Sequence, residues 1–386
     1  MMMVRTAGKF WLVALLGACG GSFERGGAGE EQVPTEVADV LSAAAPQVVI
    51  PAIDRFAEAV IQLRDAVEGW DGGEDRASVQ EAWQVAMLAW QECEVHQIGP
   101  TASALVAPGG KDLRDTVYSW PTVNPCRVDQ ETVVGDWGGA YFDTALVNVR
   151  GLDALEHLLF VDGSQNACPS QVSINSDGTW SALGDSGVRS ARANHARALA
   201  DDLLSTSASL QQEWAGFGDA LAGPGTASSP YATSDEALTA IFHGLFYVET
   251  GVKDRKLAAP LGLRDCGQEQ CPESVEHLPS GLSIRALEAN VVGFRSLFTG
   301  GEGAGMDDLL IELGHGDLTE AILQATDGVE AALPAVELPI DEALSSDLDD
   351  LEALHSAVGG VTDLLKNDLT TVLSLEVPAE AAGDND

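Results

Sequence analysis

The chain has 386 residues, and 20 Lys+Arg against 60 Asp+Glu give it a formal net charge of −40. That balance excludes nucleic-acid binding, which needs Lys and Arg to displace counterions from phosphates, and it repels an anionic lipid surface. With 45% hydrophobic residues the chain can bury a large core, which excludes disorder over most of its length.

The first segment bears on the compartment. Arg5 and Lys9 precede a short apolar run from Phe10 to Leu16, and Gly17, Ala18 and Cys19 follow. This is the order of a secretory signal, too short to span a bilayer. Leu16-Gly17-Ala18-Cys19 resembles a bacterial lipobox, in which the Cys becomes the first mature residue and carries lipid; an ordinary signal peptide containing a Cys is the alternative. Gly20 after the Cys favours the outer membrane by the same resemblance. The expectation is a signal peptide over 1–18 and a lipidated Cys19 opening a flexible tether over 19–34. The protein is then expected in the bacterial cell envelope, at the outer membrane, facing the periplasm or the surface, with its lipid as its only membrane contact.

Beyond the tether, helix signals recur and strand signals are few. Two linked apolar stretches near residues 35–68 are broken at Pro46 and Pro51, and the second carries Ile53, Phe56, Val60, Leu63 and Val67 at three-and-four spacing. After Asp71-Gly72-Gly73, a helix from Ser78 to Glu94 places Trp83, Met87 and Trp90 on one stripe. Further helical windows cover about 140–161, 187–215, 233–250, 283–298, 306–332 and 345–374, with loops at 162–186, 216–232 and 254–282. An all-α protein follows, expected as two four-helix-bundle-like domains over 35–216 and 217–378. The boundary is placed at the Gly-, Pro- and Ser-rich run from Gly216 to Tyr231, and an acidic tail closes the chain over 379–386.

An exported chain permits disulfides. Cys266 and Cys271, five apart in a polar loop, are expected to bridge, and Cys126 and Cys168, each in a Pro- and Asn-containing loop, form the second expected pair. Cys93 is left inside an apolar helix pattern as a buried, inert thiol. No spacing suits a thiolate zinc site.

A carboxylate on the core stripe of a bundle is costly unless it is paired or bound to a cation, so inward acids mark candidate chemistry. The stripe of Trp83, Met87 and Trp90 continues to Glu94. A second stripe, Val149, Asp153, Glu156 and Phe160, has two acids three apart on one face. Together Glu94, Asp153 and Glu156 make an oxygen-rich pocket suited to a metal cation. Arg150 and His157 flank Asp153 and offer local pairing as the alternative. Among other candidates, His195 lies on an Arg-flanked, solvated face and His243 is placed to reach a cleft; Glu249 and Lys253 form a pair at a helix end, and Trp120 is a packing anchor.

These residues also carry a family resemblance. Gly151-Leu152-Asp153-Ala154-Leu155-Glu156, followed by Leu158-Leu159-Phe160, resembles the signature helix of the imelysin family, whose pattern is Gly-x-His-x-x-Glu. Cys93-Glu94-Val95-His96-Gln97-Ile98-Gly99-Pro100 resembles its acid before a Gly, and Arg114 with Ser119-Trp120-Pro121 and Val128-Asp129 resembles its Arg and Trp-Pro segment. Ile241 to Leu245, Val248-Glu249, Lys253-Asp254, Lys256-Leu257, Pro260 to Gly262 and Ser283 to Phe298 with Asn290 extend the likeness to roughly residues 36–375. The resemblance implies two helical bundles with the signature helix lining a cleft between or beside them, a periplasmic location and a link to iron uptake; Arg114, Trp120 and His243 are the further candidates for that cleft.

Asp153 stands where the family has His, and there is no His-Glu-x-x-His helix. An all-oxygen site favours hard cations, iron, calcium or magnesium, over zinc. The leading expectation is therefore an envelope lipoprotein that binds a divalent or trivalent metal ion, iron foremost, or a small metal-containing ligand. The alternatives are a zinc-type metallopeptidase with Glu156 as base or ligand, and a non-catalytic scaffold for a protein partner whose old site has decayed.

Overall fold

A computed structural model describes residues 36–138, 140–378 and 381. The expected signal peptide, Cys19, its tether and all of the acidic tail except Ala381 lie outside the described residues. Among the described residues every regular element is helical, as expected of an all-α chain.

Helix α1 (Val37–Ala43) continues into α2 (Ile50–Gly69) through a π-helical turn, Ala44–Val49. The breaks expected at Pro46 and Pro51 are therefore absent. Pro46 sits inside the widened turn, where the helical hydrogen-bond ladder is already shifted and a missing amide does least damage. Pro51 lies in the first turn of α2, a position that tolerates proline. Helix α3 (Ala77–Glu94) packs on α2.

A winding segment follows, with α4 (Leu113–Val117), α5 (Pro125–Val134), α6 (Tyr141–Thr144), α7 (Gly151–Phe160) and α8 (Ser173–Ser176). Helix α9 (Thr179–Ala222), kinked at Gly184, packs on α2 and α7. The second half holds α10 (Ser234–Leu245), a π-helical segment Val248–Ala258, α11 (Ser283–Thr299), α12 (Met306–Glu312), α13 (Gly316–Ala332), α14 (Ile340–Ser346), α15 (Leu348–Asp363) and α16 (Thr370–Leu373).

The boundary expected at Gly216 falls inside α9, because Phe217, Ala220 and Leu221 continue the buried stripe of Leu210 and Trp214. Thr35–Asp386 form one compact unit. A single core cluster joins Phe56, Trp83 and Leu155 to Phe242, Phe294 and Leu354, so the two halves share their apolar interior. Cys126–Cys168 and Cys266–Cys271 are both disulfides, and Cys93 is free and buried.

Two glycines let the site-bearing helices come together. Gly151, at φ +79°, opens α7 against the C-terminal end of α4, and a Cβ there would lie 2.3 Å from the Val117 carbonyl oxygen. Gly293 on α11 lies over the end of α3, and a Cβ would meet the Glu92 carbonyl oxygen at 2.4 Å. Both approaches are closer than any side-chain-bearing residue permits.

Candidate functional site

The inward acids meet where α3, α7, α11 and the Val248–Ala258 segment converge. Trp83 fixes the first pair, donating its indole N–H to the Leu152 carbonyl at 2.8 Å. Asn290 on α11 donates to the Gln91 backbone carbonyl at 2.7 Å and to Gln91 Oε1 at 2.9 Å, tying α11 to the last turn of α3.

Glu94 is fully buried, as its stripe requires, but what faces it is cationic side chains of the same chain. Arg114 donates to Oε1 from Nε at 3.0 Å and from a terminal nitrogen at 2.6 Å. Lys256 Nζ lies 3.2 Å from Oε2. Burial pushes the Glu94 carboxyl up, but Lys256, Arg114 and a hydrogen bond from Tyr247 outweigh it and hold the group at about 2. Arg114 also donates to the Trp120 carbonyl at 2.9 Å, so Trp120 contributes its backbone to the site.

Lys256 is the centre of the network. Its buried ammonium donates to Gln91 Oε1 at 2.6 Å and Asn290 Oδ1 at 2.8 Å, and it pairs with Glu276 Oε1 at 3.1 Å. Glu276 Oε1 also accepts from the Tyr118 hydroxyl at 2.9 Å. The Tyr118 ring stacks on His277, whose Nδ1 lies 3.3 Å from Glu156 Oε2, while Ser280 donates to Glu156 Oε1 at 2.5 Å. Burial lowers the His277 pKa, but Glu276 and Glu156 more than offset it and the net direction is up. His277 has φ +58°, a conformation that costs a non-glycine residue about 1–3 kcal/mol, and it keeps this geometry under the contacts just described.

Asp153 has a different environment. Oδ2 accepts from the Ser119 amide at 3.1 Å and its hydroxyl at 2.7 Å, and Oδ1 accepts from the Ala154 amide at 3.0 Å. Burial raises its pKa to about 7 against these hydrogen bonds and the positive charge of Arg114.

The three acids expected to hold one cation thus have separate partners. Glu94 is neutralised by Arg114 and Lys256, Asp153 is solvated by Ser119, and Glu156 by Ser280 and His277. Among the described residues no group of three or more His, Cys, Asp or Glu side chains is arranged to hold a metal ion. The expected oxygen-rich metal pocket is corrected accordingly: the positive charge among these carboxylates is a lysine ammonium, and the donor set does not fit a metal.

Other expectations are corrected too. Arg150 bonds Asp202 at 2.9 and 2.6 Å in place of Asp153. His157 faces Asp129 at 3.1 Å. His195, expected in solvent, is fully buried on Trp137 with Nδ1 2.8 Å from the Thr132 hydroxyl, because α9 turns that face toward α5. His243 is half-buried and lies 3.0 Å from the Glu376 carbonyl, away from the network. Glu249 and Lys253 do pair, at 3.0 Å, but as buried groups, and Lys366 joins them.

The residues that sequence reasoning missed are Lys256, Glu276, His277, Tyr118 and Ser280. One signal was available: the chain has five lysines, and two of them, Lys253 and Lys256, fall three apart in one otherwise helical run. A scarce, costly cation in such a place implies carboxylates waiting for it.

The imelysin family model, described as a peptidase M75 family, matches residues 38–367. Iron-regulated protein A of Synechococcus elongatus is 24% identical over 335 residues, covering 83% of this chain and 82% of that protein. An imelysin-like protein from Psychrobacter arcticum superposes with a TM-score of 0.67 at 18% identity, over 90% of this chain and all of the other. An iron-regulated protein A precursor from Parabacteroides distasonis gives a TM-score of 0.63 at 17% identity, over 89% and 96%. The match to the family model covers most of the sequence, and the chain belongs to the imelysin family.

Proposed function

We propose that this chain is a non-hydrolytic, lipid-anchored protein of the bacterial cell envelope with an iron-related role, and that its signature helix serves as a structural keystone. The observation that carries this reading is the ammonium of Lys256 between Glu94 and Glu276. A hydrolase of the metal type needs ligands with an open coordination position and a base that reaches substrate water. Here Glu156 is spent on Ser280 and His277, and Asp153 lacks the imidazole that a zinc ion prefers. The iron link rests on iron-regulated protein A, matched along most of both chains. Iron is then handled as part of a metal-containing ligand, since the buried carboxylates are already neutralised as a group.

The test has two arms. Zinc-supplemented protein incubated with an unfolded protein substrate leaves it intact, and cleavage that disappears in Glu156→Gln would defeat the proposal. In the native bacterium the protein's abundance changes with iron supply and Cys19→Ser moves it from the membrane to the soluble fraction; an abundance indifferent to iron, or an unchanged location, contradicts the corresponding part.

A further inference from the structure

A cavity of about 430 Å³ opens beside the C-terminal end of α7, outside the network described above. Its walls include Trp70, Arg76, Leu158, Asp185, Arg189 and Arg192. Three of its twelve lining residues are arginine, in a chain with 20 Lys+Arg among 386 residues. Glu74, Asp162 and Asp185 are among the twelve as well, so the lining is balanced in formal charge, and what could draw in an anion is the arginines whose charge is not taken up by a carboxylate at hydrogen-bond distance.

The arginines differ in what they already hold. Arg76 donates to the Leu159 and Val161 carbonyls at 3.0 and 3.2 Å and is paired with Asp162. Arg192 is 4% exposed and donates to the Gly163 carbonyl at 2.8 Å and the Gln165 carbonyl at 2.6 Å. Asp129, 4.0 Å away, is the carboxylate it approaches, and His157 shares that acid. The Arg192 Nε–H is buried with no acceptor. Burial lowers the Arg192 pKa, Asp129 opposes this in part, and Arg76 adds to it. Arg192 is thus a buried cation hydrogen-bonded to neutral carbonyls, with Asp129 at the edge of ion-pair distance and its Nε–H without an acceptor, a state that costs free energy. Arg189, one turn earlier on the same face of α9, is exposed, and no ion pair to it occurs among the described residues. Glu74 and Asp185 also line the cavity, and both are exposed, so solvent screens their charge more than it screens that of the buried Arg192.

We propose that this cavity binds a small polycarboxylate anion between Arg189 and Arg192, with Trp70 as its apolar wall. Guanidinium forks match planar carboxylates bidentately. The exposed fork of Arg189 and the unbonded Nε–H of Arg192, a helical turn apart, call for two carboxylates on one body, and the volume lies in the range of small-ligand sites. A lone tetrahedral anion would fill little of it. The inference stands on the cavity and does not depend on the proposed iron-related role.

Citrate is a suitable probe, titrated calorimetrically into the full-length protein at low ionic strength, with inorganic phosphate and acetate in parallel. Citrate is expected to bind at one site, at least tenfold tighter than phosphate or acetate. Arg189→Glu is expected to weaken citrate tenfold or more, while Arg285→Ala, an exposed arginine on α11 outside the cavity, leaves it unchanged. Thermal melts of both variants check that each is folded. Absence of citrate binding at millimolar concentration, phosphate binding as tightly as citrate, or Arg189→Glu binding like the wild type would each overturn the proposal. Repeating the titration with ferric citrate tells whether the metal adds affinity, and its outcome bears on the iron-related role alone.

Discussion

At the scale of single residues, the site is a set of buried charges that depend on one another. Lys256 serves Glu94 and Glu276 together, so Lys256→Met leaves two buried carboxylates without their shared cation. We expect a loss of about 3–5 kcal/mol in urea unfolding, with part of it recovered in the double variant Lys256→Met with Glu94→Gln. Asp153 behaves in the opposite sense. Its carboxyl titrates at about 7 in the fold and near 3.9 when unfolded. Between those values the unfolded chain has released a proton that the folded chain keeps, so this group's contribution to stability declines as pH rises from about 4 to 7. Asp153→Asn keeps an oxygen for Ser119 and removes that decline. Urea midpoints at pH 5 and pH 8 should converge in the variant, with a gain on the order of 1–2 kcal/mol over wild type at pH 8; an unchanged difference between the two midpoints would contradict the assignment.

At the scale of elements, close backbone approach positions the site. Gly151→Ala must place a Cβ against the Val117 carbonyl at a left-handed φ, and a loss of at least about 2 kcal/mol is expected, read as a lower melting temperature. The elements themselves were largely legible in the sequence. The stripe through Trp83, Met87 and Trp90 points Glu94 inward, and all four are buried as that spacing requires. Pro46 was misread because a rule for ordinary α-helix was applied to a π-helical turn. The partners of the acids were hidden for a different reason. Tyr118, Glu276 and His277 sit outside the regular helices or in a turn, where periodicity gives no face. Lys256 is 162 residues from Glu94, and no local spacing rule reaches that far. Arg150 shows the same limit from the other side, since a partner three residues from Asp153 lost to Asp202 on α9.

At the scale of the whole molecule, a net charge of −40 loads the folded state with self-repulsion. Added sodium chloride should therefore raise the melting temperature until the screening length falls below the spacing of surface acids, whereas a melting temperature indifferent to salt would mean that surface ion pairs already balance the field. The same charge makes loosely associated cations certain, and only a stoichiometric, site-dependent ion tests the account. The decisive measurement is metal content by mass spectrometry after chelator-treated full-length protein is titrated with ferrous iron and with zinc and then desalted, for wild type and for Glu94→Gln, Asp153→Asn and Glu156→Gln. We predict no retained equivalent that depends on these three carboxylates, because Arg114, Lys256, Ser119, Ser280 and His277 already hold them. One equivalent of metal kept by the wild type and lost in all three variants would contradict that claim.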